Sequence, residues 1–172
     1  TGPMIIDYAT CARTEFLDIY LHAKCRFFIG CASGIALVPM TFRRPIVLTN
    51  FVPIEQFPAW NPDYLIIPKK LWSSAERRVL SFGEMLDLAA LSDDWGTNYE
   101  QVGIETIDNT PEENTAVAME MDERINGTWQ TTEEDEELQR QFWSLFKPSI
   151  FNQFFACRIG AEFLRQNRDL LR

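Results

Sequence analysis

Apolar residues come in short runs along this chain, and the spacing of the runs predicts its elements. Cys25–Ile29 is an aromatic-rich apolar run, Ile35–Thr41 is a second, and Ile46–Thr49 is a β-branched third that ends at Asn50. Gly30, Ser33 and Gly34 make a small-residue turn between the first two, and Arg43, Arg44 and Pro45 separate the last two. The pattern reads as strand, tight turn, short helix, strand: one βαβ unit of a parallel sheet. Both strands are nearly all apolar, as strands covered on both faces are. Tyr64–Ile67 is another short strand ahead of Pro68, Lys69 and Lys70, and Met4–Tyr8 predicts a first strand with Asp7 near its exit.

Helical periodicity fills the rest. Thr10 or Thr14 caps a helix over about 14–24, with Phe16, Tyr20 and Ala23 on one face. Ser81 and Glu84 fit a capping box for a helix running to about Leu91, and Ser92–Tyr99 is polar and loop-like. Val102–Asp108 has strand composition. Thr110, Pro111 and Glu113 then combine a capping threonine, a proline at the first helical position and a capping-box glutamate. That helix carries Val117, Met121 and Ile125 on one face and stops at Asn126-Gly127. Thr131 with Glu134 opens another, whose stripe is Leu138, Phe142, Leu145 and Phe146 and which Pro148 ends. A last helix is predicted over about 149–170, with Phe151, Phe154, Phe155, Ile159, Phe163 and Leu170 on a broad buried face. Between the strands at Asn50 and Tyr64, Pro53, Pro58 and Pro62 forbid a continuous helix or central strand. That segment reads equally as a lid or as a packed connector.

Composition narrows the function classes. At 172 residues the chain has room for one sizeable core. No run of apolar residues is long enough to span a membrane, and no signal peptide is read, so a cytoplasmic location is expected. Four cysteines without CxxC spacing and a single histidine, His22, predict reduced thiols and no metal site. The net charge is −9 and uneven: residues 1–80 carry nine Lys/Arg against six Asp/Glu, and the remainder seven against nineteen. Nucleic acid is a disfavoured partner, while a small anion in the first half stays compatible.

The candidate chemistry sits at the turn. In parallel sheets, ligands bind beyond the carboxyl ends of the strands. Glycines let backbone approach a ligand, and the N–H groups opening a helix attract phosphate or carboxylate. Neither a dinucleotide fingerprint nor a P-loop is present. Lys69 and Lys70 follow a strand and share that edge if the strand is parallel; both also read as solvated surface. Arg43 and Arg44 precede a strand and read as structural, as does His22 in its helix. No Ser-His-Asp or Cys-His set assembles, and Asp7 is the carboxylate best placed at a strand exit.

The segments FFIGCASGIALVPMTFRRPIVLTN and IPKK resemble the C-terminal half of a group of bacterial putative glycosyltransferases associated with cell-surface polysaccharide synthesis, and more distantly two-domain GT-B enzymes such as the heptosyltransferases. The likeness extends through DYA at 7–9, EFLDIYL at 15–21, IDNTPEEN at 107–114 and RIGAEFLRQNRDLL at 158–171. The resemblance implies a nucleotide-sugar donor as substrate, with no cofactor and no metal. Carried over by position, Gly30, Ser33 and Gly34 would meet the donor phosphates, Asn50 would lie near the sugar or nucleoside, and Lys69 would neutralise phosphate charge. The catalytic base and acceptor site of such enzymes usually come from an N-terminal domain, which would be a partner here. Self-association through the C-terminal helices is the other expected contact. The expected fold is therefore α/β: a Rossmann-like three-layer domain over 1–127 with a mostly parallel sheet, and a helical extension over 128–172 packed on it. A non-catalytic Rossmann-like interaction module is the alternative, and another α/β enzyme using Asp7 on a phosphate ester is a third.

Overall fold

The computed structural model describes residues 4–90, 99–147 and 155–172. Its centre is a four-stranded, wholly parallel sheet in the order β1 (Phe28–Gly30), β2 (Ile46–Phe51), β3 (Tyr64–Pro68) and β7 (Arg158–Ile159). Phe28 pairs with Ile46, Ile46 with Tyr64, and Leu65 with Arg158. Ile46, Val47, Ile66 and Ile67 are fully buried, as the unbroken apolar runs predict. The α/β reading with a mostly parallel sheet is what the chain adopts.

The chain enters the sheet through α2 (Glu15–Lys24), which Thr14 caps by accepting a hydrogen bond from the Leu17 N–H. Between β1 and β2 lie a 3-10 turn at Gly34–Ala36 and α3 (Leu37–Thr41). The connector after β2 buries Ile54, Phe57, Pro58 and Ala59, so it packs as core rather than standing off as a lid. Its Ala59 carbonyl accepts from the N–H groups of Ala156 and Cys157 and so sets the start of β7.

A second, antiparallel sheet grows from the end of β3. Lys69 is a one-residue joint into β4 (Lys70–Ser73), which pairs with β5 (Arg78–Val79) on one side and β6 (Ile104–Ile107) on the other. A turn with Arg77 in the left-handed region closes the β4–β5 hairpin. The strand expected over Val102–Asp108 is β6, whereas β4 and β5 carry no clear alternation and were not predicted.

Ser81 and Glu84 cap α4 (Phe82–Ala90) as expected. The start of α5 (Pro111–Asn126) is the predicted one: Thr110 and Glu113 form a reciprocal capping box, and Gly127 in the left-handed region ends the helix. The next start shifts by one residue. α6 (Glu133–Ser144) is capped by Thr132 with Asp135, not by Thr131 with Glu134, because Asp135 also reaches Arg165 across the interface. Leu138 and Phe142 are buried along it, and Phe146, just past its end, is buried with them.

Two expectations fail. Met4–Tyr8 is no strand: Ile5 and Ile6 are exposed, and Asp7 caps a single turn, α1 (Tyr8–Cys11). Over the described part of the long helix expected at 149–170, residues 155–170, the chain instead forms β7, α7 (Ala161–Gln166) and a 3-10 turn at Arg168–Leu170. Ile159, Phe163 and Leu170 are buried in this domain, so they offer no exposed face for self-association. Pro148, Phe151, Phe154 and the stretch 92–98, expected to be loop-like, lie outside the described residues. α7 packs against α5 and α6, and Arg158–Ile159 supplies a strand of the main sheet, so the described part of the stretch expected to be a helical extension also contains a strand.

Candidate functional site

The parallel sheet sends the carboxyl ends of β1, β2 and β3 to one edge, and the expected residues arrive there together. Gly30 ends β1, Asn50 lies at the end of β2, and Lys69 directly follows β3. Adjacent strands lie about 4.8 Å apart and rise about 3.3 Å per residue, and Lys69 lies three residues beyond Ile66, which is level with Gly30, so Gly30 and Lys69 are separated by roughly 14 Å.

At the turn, Ser33 has extended backbone geometry and opens the 3-10 turn, yet its hydroxyl makes no capping bond. Ser33 and Gly34 are both exposed, and an added Cβ at Gly34 would meet nothing within 4 Å. Gly30 has a packing reason of its own. A Cβ there would lie 2.6 Å from the far end of the Phe28 ring, which folds beneath it and stands 5.4 Å from the His22 ring. His22 is thus an aromatic neighbour of β1, and its Nδ1 sits against the Asp18 carbonyl.

The other two residues are engaged within the fold. Asn50 is in the left-handed region, and it exchanges hydrogen bonds with Asn109: the Asn50 N–H donates to Asn109 Oδ1 at 2.5 Å, and the Asn109 N–H donates to Asn50 Oδ1 at 2.6 Å. Asn109 is buried, and its Nδ2 donates to the Pro68 carbonyl at 2.8 Å. One side chain therefore clasps the ends of β2 and β3 immediately before α5 begins. Lys69 pairs with Asp108 at 2.6 Å, and Lys70 pairs with buried Glu113 at 2.8 Å. Asp108, Asn109 and Glu113 are thus tied to the strand ends, while the Gly30–Gly34 turn stays open.

Asn109 was not singled out from the sequence. Its signal was faint: an asparagine just before a strong helix start, with the partner fifty-nine positions away. Elsewhere the buried charges hold helices together. Glu120 accepts from the Ala161 N–H at 2.7 Å and from Arg124 at 2.9 Å, and burial pushes its carboxyl above the usual range. For Asp135, burial acts upward, but hydrogen bonds from Thr132 and Arg165 prevail and hold the carboxyl low. Arg78 holds Glu84 down at about 2.

Among the described residues no group of His, Cys, Asp or Glu is arranged to hold a metal ion, and no helix is long and apolar enough to cross a membrane. Comparison with protein-family models, with curated proteins and with solved structures finds no match to this chain.

Proposed function

We propose that the chain binds a nucleotide-sugar at the carboxyl edge of its parallel sheet, as the donor-binding half of a glycosyltransferase acting in cell-surface glycan synthesis. The observation that carries the reading is the turn at that edge: exposed Ser33 with its hydroxyl unspent, next to Gly34 with open space around it. A phosphate there would take hydrogen bonds from turn N–H groups and the Ser33 hydroxyl. Lys69 is the nearest strand-end cation, and drawing it to a phosphate means parting it from Asp108. In transfer chemistry the same groups would stabilise a departing diphosphate. Binding, not the acceptor's deprotonation, is what these residues are assigned. A second reading, an interaction module, is favoured by the internal engagement of Asn50 and Lys69.

The test is a thermal-shift and NMR titration with UDP, GDP, ADP and CMP and their sugar conjugates, with Ser33→Ala as the control. A dissociation constant of about 100 μM at 1 mM ligand stabilises by about 1.4 kcal/mol. A base-selective shift lost in Ser33→Ala supports the donor reading. No response at Ser33 or Gly34 to any nucleotide overturns it.

A further inference from the structure

The two edges of the parallel sheet are finished differently. At the β7 edge, buried Gln139 acts as a substitute strand: its Nε2 donates to the Ile159 carbonyl at 2.6 Å and its Oε1 accepts from the Ile159 N–H at 3.1 Å. At the β1 edge no described residue plays that part. Phe28 N–H bonds to the Pro45 carbonyl, so by the alternation of a parallel ladder Phe28 and Gly30 face β2. Ile29 then turns its N–H and C=O outward.

The side chains tell the same story. Val47 and Leu65, level with Ile29 in β2 and β3, are buried, whereas Ile29 is 46% exposed. Phe27 and Ile29 line a groove of about 580 Å³ with Ala118 and Met119 of α5, and Met119 is 58% exposed. Asn114 also lines the groove, and its Oδ1 is buried without a hydrogen-bond partner. Edge strands are ordinarily guarded by charge, proline or a bulge. Phe27–Cys31 has no charge and no proline.

We propose that the β1 edge is an interface between two copies of this chain, paired antiparallel about a two-fold axis at Ile29. In that register Ile29 exchanges both backbone hydrogen bonds with its symmetry mate, which satisfies the outward groups of both copies. Phe28 meets Gly30, and Phe27 meets Cys31, so no like charges face each other across the ladder. The same two-fold keeps the acids of the two grooves apart. α5 starts at the carboxyl edge, where Asn109 holds it, and its far half is tied to the amino end of β1 by the Arg26–Asp122 ion pair at 3.1 Å. The acids Asp122 and Glu123 therefore lie at one end of the groove, and uncharged Asn114 and Thr115 lie at the other. The two-fold axis sets the acidic end of one groove toward the uncharged end of the next. The groove supplies the side-chain burial that a three-residue ladder lacks.

The test is sedimentation velocity over a wide concentration range on the intact chain, with Ile29→Lys and Met119→Glu as independent surface variants and circular dichroism to confirm folding. Dimer formation weakened at least about tenfold by both variants supports the proposal. The register has its own readout. Hydrogen-bonded antiparallel pairs hold Cα atoms about 5.5 Å apart, inside the disulfide range. Phe27→Cys should therefore cross-link to the second copy through Cys31 under mild oxidation, and Cys31→Ser should abolish the link. A wild-type chain that stays monomeric, as when a different polypeptide normally fills the edge, overturns the proposal. So does a dimer indifferent to Ile29→Lys and Met119→Glu, or one that never yields the cross-link.

Discussion

Removing the Asn109 side chain is the sharpest test of how the carboxyl edge is built. In Asn109→Ala the backbone N–H of Asn109 can still bond to Asn50 Oδ1, but two groups lose their partner: the Asn50 N–H and the Pro68 carbonyl. Pro68 is buried, so its carbonyl bears a desolvation penalty of about 1–3 kcal/mol when left unpaired. The Asn50 N–H is only half-buried, so water can replace part of a bond worth about 1 kcal/mol. The expected loss is about 2–4 kcal/mol, read by urea denaturation as a lower midpoint at constant m. Asn109→Asp separates shape from chemistry. It keeps an acceptor for Asn50 but sets a carboxylate oxygen against the Pro68 carbonyl, where a donor stood at 2.8 Å. That contact disfavours the charged form, so the introduced carboxyl should titrate above its unfolded value of about 3.9. Such a group contributes most below its unfolded pKa, and its contribution is lost as pH rises through the folded one. The gap between Asn109→Asp and the wild type should therefore be wider at pH 7 than at pH 4. A loss below about 0.5 kcal/mol in Asn109→Ala, the size of an ordinary surface change, would refute the clasp.

Other positions give independent checks. A Cβ at Gly160 would lie 2.9 Å from Ile67 Cγ2 and 3.2 Å from Val117 Cγ2, both on branched side chains, so Gly160→Ala should destabilise by about 1–3 kcal/mol despite its ordinary backbone angles; calorimetry showing a higher Tm would contradict it. Asp135 is a buried carboxylate bonded to Thr132 and Arg165, and Asp135→Asn should cost about 1–3 kcal/mol at pH 7, because Arg165 is part-exposed and keeps Glu162 as a partner. Because its folded pKa is lowered, its contribution is present above the unfolded value near 3.9 and fades as pH falls through the folded one, so the wild type and Asp135→Asn should converge in acid. Burial pushes the Cys157 thiol up to about 12, whereas Cys11 and Cys31 are exposed; an aromatic disulfide reagent should modify those two in the native protein and reach Cys157 only on unfolding.

Local order was largely written in the sequence. The unbroken apolar runs at Ile46–Thr49 and Tyr64–Ile67 announced strands covered on both sides, because only such strands can dispense with polar alternation. The Thr110–Glu113 box and Gly127 announced both ends of α5, because capping is a contact between residues three apart. Those strands and the turn between them also put Gly30, Ser33, Gly34, Asn50 and Lys69 at one edge. What the sequence left open depends on partners distant along the chain. The clasp between Asn50 and Asn109 and the substitute strand made by Gln139 both join segments with no local sign of each other. Arg158–Ile159 is a strand only because β3 and Ala59 offer it a ladder, and Met4–Ile6, apolar enough for a strand, has no such ladder and stays exposed. Periodicity and capping act within a few residues and so determined the elements; pairing and burial are bought only by closing long loops, so the tertiary structure decided which edges and side chains were satisfied.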